Sequence, residues 1–276
     1  MGDFETILYE EDDGVAWVTL NRPEVHNAFN RRMQEELRSL WRGLRHNEDV
    51  RCVVLSGAGE RAFCTGIDRT ETMGEDAPGD DQDARRKVGY ASTPWMFDDP
   101  GDNIGPKSCD FWKPVIAAVN GMACGGAFYM LGEVEFIIAA DHAVFFDPHV
   151  TYGMTAAFEP IHMLQKMPFQ EIMRLSLLGG HERMSAQRAH AVGLVSEVVP
   201  GDELRATASW AAHAIASQPA LAVGGTVRAL WAGLELSRRH ALDLAFLYTH
   251  IGTDPELIKS GQEQFASGRR IDWRLR

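Results

Sequence analysis

The residues best suited to chemistry lie at 120–127, read as NGMACGGA. They follow an apolar run, PVIAAV at 114–119, with the composition of a buried strand. An apolar segment resumes at Phe128, so the small residues predict a tight turn that opens a helix. Glycines in such a turn let another group approach the backbone closely. The first N–H groups of a helix have no partner inside it. They can therefore hold an anion, or an oxygen that becomes negative during a reaction.

Two earlier stretches share this character: NRPEVHNAF at 21–29 and RAFCTGID at 61–68. Together with NGMACGGA, in this order, they resemble the crotonase (enoyl-CoA hydratase/isomerase) superfamily. Its pattern runs NRP-x-x-x-NA, then AF-C/S-x-G-x-D, then NG-x-A-x-GGG. LLG at 177–179, SAQ at 185–187 and GLVSEVVP at 193–200 also fit. The resemblance spans the chain from about Phe4 to Arg270. Ala127 replaces the third glycine.

That resemblance implies a common chemistry, in which an acyl thioester carbonyl becomes an enolate-like oxyanion held by two backbone N–H groups. By position the donors are Ile67 and Gly126. Coenzyme A is then expected along Val25, His26 and Ala28, and along Asp68, Arg69 and Thr70. Arg69 suits a phosphate, because a guanidinium binds phosphate bidentately. Arg269 and Arg270 resemble a basic pair near the nucleotide. No separate cofactor is expected, since coenzyme A is part of the substrate.

The same resemblance exposes a departure. The two positions that carry the glutamates of hydratases are Tyr129 and His149 here. Water addition needs paired groups to deliver a hydroxyl and a proton, and a phenol and an imidazole are not equivalent to two carboxylates. The catalytic candidates become His149, Tyr129, Asp147 and Glu159. His149 has the side chain that titrates near neutrality. Asp147, two residues before it, shares its face if the segment is a strand, and would orient the ring. Tyr129 offers a hydrogen bond. Glu159 falls in a loop, TAAFEP at 155–160, where dehalogenases and diketone hydrolases of the superfamily carry a carboxylate. The reading is an acyl-CoA enzyme of hydratase/isomerase type with weak or absent standard hydration. The alternatives are a non-catalytic acyl-CoA-binding protein and a carbon–carbon bond (diketone) hydrolase.

The elements that must position these groups follow from periodicity. Residues 14–20 and 51–57 read as strands, and Asn27 or Asn30 as the cap of a helix whose apolar face is Leu37, Leu40, Trp41 and Leu44. Short strands are expected at 135–140 and 143–146. Periodicity alone gives an α/β class; the resemblance implies a spiral of ββα units with a C-terminal helical oligomerisation region. Residues 1–200 are expected to form the core and 201–276 the helical region. Between Glu71 and Phe111 the pattern dissolves into acidic, Gly- and Pro-containing sequence. It reads as a solvated loop or as a lid bearing Trp95, Met96 and Phe97.

Composition bounds the rest. The chain of 276 residues carries a formal net charge of −12, which argues against a nucleic-acid partner. Its acidic start lacks a signal-peptide core, and no apolar run reaches a membrane span. Four scattered cysteines form no disulfide framework or metal motif, and a cytoplasmic home is expected. The family resemblance implies a homo-oligomer, a trimer or hexamer.

Overall fold

A computed structural model describes residues 4–70, 99–268, 270, 271 and 273–276. The lid candidates Trp95, Met96 and Phe97 and the basic Arg269 lie outside the described residues. The chain divides into two compact units, Met1–Ala216 and Ser217–Arg276.

The first unit is built on two sheets. One has six strands in the order β1 (Ile7–Asp12), β2 (Val15–Leu20), β3 (Cys52–Gly57), β5 (Val115–Val119), β7 (Phe136–Ala140) and β10 (Glu197–Val199). All neighbours are parallel except the β1–β2 hairpin. The second sheet orders β4 (Ala62–Cys64), β6 (Met122–Cys124), β8 (Val144–Phe146) and β9 (Met184–Ser185). Successive segments of chain thus give one strand to each sheet, β3 then β4, β5 then β6, β7 then β8. This is the ββα spiral that the resemblance implied.

The inner strands of the first sheet, β2, β3, β5 and β7, are buried on both faces, which explains their nearly continuous apolar sequence. Ala16, Val18, Val53, Leu55, Ala117 and Ala139 face one core. That core also holds Met33, Leu37, Leu40, Trp41 and Leu44 of α1 (Arg31–Leu44). Val15, Trp17, Cys52, Val54, Ile116 and Ile138 face the other core. Against that face lies α7 (Leu204–Ala216), with Ala208, Ala212 and Ala216 at helical spacing. Methyl side chains let the helix axis come close to the sheet. The alanine-rich stretch expected to open the C-terminal region therefore packs within the first unit. The break falls after Ala216 instead of after residue 200.

Several elements depart from the sequence reading. Asn30, not Asn27, caps α1, its Oδ1 accepting the Met33 N–H at 2.9 Å. NGMACGGA does not pass directly from strand to helix. Its middle three residues form β6, and α3 (Ala127–Gly132) begins after Gly126. The 155–160 segment is a loop only to Ala157, and Glu159 lies in the first turn of α4 (Phe158–Met163). From Asp99 the chain forms the short α2 (Gly101–Ile104) and buries Cys109 and Phe111. The helices α5 (Phe169–Leu178) and α6 (Ala186–Ala191) complete the unit.

The second unit is helical: α8 (Ala220–Glu235), α9 (Arg238–Gly252) and α10 (Pro255–Ala266). The first two pack closely where Gly225 meets Gly252; a Cβ on Gly225 would lie 3.2 Å from the Gly252 Cα. Phe246, Phe265 and Trp273 are about four-fifths exposed or more, at 80%, 88% and 79%. Among the described residues no helix is long and apolar enough to cross a membrane.

Trp41 ties α1 to the site-bearing segments, because its Nε1–H donates to the Ile104 carbonyl at 3.0 Å. Trp41→Phe keeps the aromatic volume and orphans that carbonyl. The expected loss is about 1–3 kcal/mol in chemical denaturation, the cost of one buried unpaired polar group.

Candidate functional site

The site forms where the three motifs converge. Two asparagines fix the loops from behind. Asn27 is fully buried; its Oδ1 accepts the Arg22 N–H at 3.0 Å, and its Nδ2 donates to Ala58 and Ala62 carbonyls at 3.0 and 2.9 Å. Asn120 receives the Gly57 N–H on its Oδ1 at 3.1 Å and donates to Gly59 and Ala62 carbonyls. Positive φ at His26 and Asn27 (55° each) turns the first loop back on itself.

Arg22 was absent from the sequence-derived candidates, yet it bridges two motifs. Its Nη1 donates to the Ala28 carbonyl at 2.7 Å and pairs with Asp68 Oδ2 at 2.8 Å. Asp68 Oδ1 accepts the Thr70 N–H and hydroxyl at 3.0 and 2.7 Å. Burial would push the Asp68 carboxyl up, but the Thr70 and Arg22 hydrogen bonds outweigh it and hold the pKa below its usual value. Both Asp68 oxygens and the Thr70 hydroxyl are therefore occupied within the protein, where they shape the loop. The amides of Val25, His26 and Ala28 are also spent internally, on the Arg22, Pro23 and Val25 carbonyls. Arg69 stacks over the Tyr152 ring at 3.9 Å. Arg270 is exposed and belongs to the second unit.

Ile67 and Gly126 stand on abutting turns. Phe29 donates its N–H to Gly66 and accepts that of Asp68, which leaves the Ile67 N–H outside the bridge. Among the described residues neither the Ile67 nor the Gly126 N–H has a backbone acceptor. Gly66 makes the approach possible: with φ at +86°, a Cβ there would come within 2.8 Å of the Gly126 nitrogen.

His149 sits beside this pair of turns. A Cβ on Gly125 would lie 3.7 Å from its Cε1. Strand β8 ends at Phe146, so Asp147 and His149 do not share a strand face as the sequence suggested. They meet through a turn. Asp147 Oδ1 accepts both the His149 N–H, at 3.1 Å, and the Nδ1 proton of the ring. Across the ring, Nε2 lies 3.3 Å from Glu159 Oε1. The imidazole is thus held between two carboxylates, of which Asp147 is fully buried and Glu159 is 6% exposed. Among the described residues, Asp147 Oδ2 has no hydrogen-bond partner.

The electrostatic consequence corrects the expectation of a ring that titrates near neutrality. The hydrogen bond to Asp147, then that to Glu159, overcome burial and raise the His149 pKa to about 10. At neutral pH the ring is an imidazolium, a proton donor and not a base. Tyr129 is 5% exposed and donates to Asp99 Oδ2 at 3.2 Å. Burial, with the Glu159 and Asp99 charges beside it, pushes its phenol far above its usual range. Asp99 was not among the sequence candidates. It fell in an acidic stretch that looked like solvated loop, and nothing local distinguished it from Asp98 or Asp102.

Because its folded pKa is raised, His149 contributes stability that is fully present below about pH 6.5. That contribution is lost as pH rises through about 10. NMR titration of the ring should show no midpoint near neutrality, and Asp147→Asn should draw the midpoint down. A wild-type midpoint at the ordinary imidazole value would contradict this geometry.

Comparison with known proteins adds the following. The family model described as enoyl-CoA hydratase/isomerase matches residues 10–276. The chain is 32% identical over 263 residues to (E)-benzylidenesuccinyl-CoA hydratase of Thauera aromatica, covering 95% of this chain and 96% of that one. It is 33% identical over 222 residues to 1,2-epoxyphenylacetyl-CoA isomerase of Escherichia coli K12, covering 80% and 79%. The crystal structure of an enoyl-CoA hydratase/isomerase from Mycobacterium paratuberculosis superposes with a TM-score of 0.83 at 34% identity, over 99% of both chains.

Proposed function

The chain belongs to the enoyl-CoA hydratase/isomerase family, and on that premise we propose that it is an enzyme acting on an acyl-CoA thioester through an oxyanion-stabilised enolate. The observation that carries the reading is the imidazolium held between Asp147 and Glu159, next to the turns that present the Ile67 and Gly126 amides.

Each residue then has a task. The thioester oxygen sits between the Ile67 and Gly126 N–H groups. Losing one such donor typically costs about 3 kcal/mol of transition-state stabilisation. Glu159 is the base that takes a hydrogen from the carbon beside the carbonyl, and the electron pair moves onto the held oxygen. The protonated Glu159 returns the hydrogen to the same carbon or, in a conjugated system, to a more distant one. His149 supplies positive charge and a hydrogen bond to Glu159, and Asp147 fixes its tautomer and direction. Coenzyme A enters as part of the substrate. Val25, His26, Ala28 and Arg69 are the proposed contacts for it, beside the loop that Asp68 and Thr70 shape.

This set has one base and no second carboxylate at Tyr129 or His149, so brisk hydration of a simple enoyl thioester is not its task. General acid–base help of the kind missing here is worth about 10²–10⁴-fold. The relatives named above include a hydratase and an isomerase; a proton-transfer reaction of isomerase type suits a single base best.

Two experiments test the reading. In a thermal-shift screen, saturating CoA thioesters should stabilise the protein and free diketones should not. A ligand at 100-fold its Kd adds about 2.7 kcal/mol, which is readily seen. Stabilisation by diketones alone would point to a carbon–carbon hydrolase. Loss of crotonyl-CoA absorbance should be slow or absent with the wild-type protein. Brisk hydration that disappears in His149→Ala would make the histidine a true substitute for a hydratase carboxylate and overturn the single-base reading.

The assembly proposed is a homo-oligomer, a trimer or hexamer, for which the exposed aromatic residues of the second unit supply apolar surface. Light scattering at micromolar concentration should report a mass of three or six chains; a monomer would refute it.

A further inference from the structure

A base closed in with its substrate can only hand a proton back to it, unless a neighbour carries the proton away. Glu159 is buried, and two polar side chains meet its carboxylate. One is the His149 ring, with Nε2 3.3 Å from Oε1. Both nitrogens of an imidazolium already carry protons, so His149 cannot take another. The other is the Tyr129 phenol, which hydrogen-bonds to Glu159 and to Asp99. A phenol oxygen has lone pairs to receive a proton and a proton of its own to give up. It lies 3.2 Å from Asp99 Oδ2.

We propose that Tyr129 and Asp99 form a proton relay that connects Glu159 to solvent. This deepens the proposed function and rests on its assignment of Glu159 as the base. The transfer balances. Glu159, having taken a proton from the substrate, passes it to the Tyr129 oxygen as the phenol passes its own proton to Asp99 Oδ2. At the phenol one O–H bond forms and one breaks, so the ring stays neutral. That matters, because burial and the two carboxylates beside it oppose a phenolate. Glu159 is again a carboxylate, and Asp99 releases the proton to water. In reverse, the relay brings a solvent proton to Glu159. Both residues act through Glu159 and not on the substrate.

The packing keeps the relay in line. Asp99 Oδ1 accepts the Gly101 N–H at 2.7 Å, which leaves Oδ2 for the phenol. Gly101 lets the ring come close, since a Cβ there would lie 2.6 Å from it. His162 of α4 meets the ring edge-on, with centroids 5.6 Å apart. These contacts hold the hydroxyl between the carboxylate on α4 and the one before α2. Burial raises the Asp99 pKa against the Gly101 and Tyr129 hydrogen bonds, and the Glu159 and Asp102 charges add to the rise, so Asp99 accepts a proton readily. Asp99 is also the outer end. Its carbonyl accepts the Asp102 N–H at 3.1 Å, and Asp102 is exposed.

Two measurements test the relay. The first needs no turnover. The chain has five tyrosines, so carbon-13 at tyrosine Cζ gives a short spectrum in which Tyr129→Phe identifies the relevant signal. Glu159→Gln and Asp99→Asn should each shift that signal, because the phenol engages both carboxylates. A signal unmoved by either change would remove one link and overturn the proposal. The second follows the abstracted hydrogen. Vinylacetyl-CoA with deuterium beside the carbonyl is isomerised in ordinary water, and NMR locates the label in the product. With the relay intact, deuterium on Glu159 is lost to solvent and little reaches the far carbon. Tyr129→Phe keeps the ring and removes the hydroxyl, so transfer of label to the far carbon should rise several-fold. Asp99→Asn should do the same, since an amide cannot take the second proton, and the double variant should add nothing. The label fraction is a ratio within the product, so loss of folded protein alone does not move it. Equal label transfer in the wild-type protein and both variants would overturn the relay, while an inactive Glu159→Gln protein would leave the base assignment standing. Full activity in Glu159→Gln, or no isomerisation by the wild-type protein, would overturn that assignment and the relay with it.

Discussion

An imidazole placed between two buried carboxylates must either carry a proton or leave a negative pair unscreened, and the site depends on that constraint. Taking charges out of water costs several kcal/mol per ion, and their mutual attraction offsets it only with close, well-aligned hydrogen bonds. His149 supplies both contacts, with Asp147 on Nδ1 and Glu159 on Nε2. Removing one partner from such a buried set typically costs about 3–5 kcal/mol, because it strands a charge. The arrangement therefore holds its own geometry. It also decides the division of labour in the proposed reaction: the ring is the fixed cation and the carboxylate is the group that can gain a proton.

Everything around this contact keeps it at a set distance from the two amide turns. Parallel strands buried on both faces form a stiff base, and each spiral turn delivers its loop to the same end of the second sheet. The loops are then cross-braced by side chains that have no reactive role. Asn27, Asn120 and Arg22 together hold the first two motifs by eight polar contacts: Asn27 with Arg22, Ala58 and Ala62; Asn120 with Gly57, Gly59 and Ala62; Arg22 with Ala28 and Asp68. Glycine at 66 allows the turn bearing Ile67 to touch the turn bearing Gly126. Preorganised donors of this kind need no rearrangement when negative charge develops, which is the source of their catalytic value.

Much of this could be read before any coordinates. Continuous apolar runs mark β2 and β3, and the glycine-rich motifs mark the turns. The spiral itself came through resemblance, because periodicity carries no information on which strands pair. What escaped the sequence was tertiary. Asp99 and Tyr129 are thirty residues apart in an order that suggests nothing, and their contact exists because α2 lies against α3. Arg22 stands inside the first motif, but its bridging of Ala28 and Asp68 requires the loops to be closed. The spacing of Asp147 and His149 suggests a shared strand face, whereas a turn after β8 makes their pairing. The His149 charge state escapes the sequence because a pKa belongs to a group's surroundings, and the sequence names only the side chain. The alanine-rich helix Leu204–Ala216 reads equally well as an interface or as an inner layer; only the buried face settles it.

The central claim is that Glu159, and not His149, is the group that moves the substrate proton. Deuterium incorporation beside the carbonyl of butyryl-CoA in heavy water, followed by mass spectrometry, tests it for the wild-type, Glu159→Gln and His149→Gln proteins near neutral pH. The account predicts that the wild-type protein exchanges the hydrogen. It predicts that Glu159→Gln loses about 10²–10⁴-fold, the usual value of a positioned general base, and that His149→Gln retains a measurable part of the rate. Exchange that persists unchanged in Glu159→Gln and vanishes in His149→Gln would contradict it.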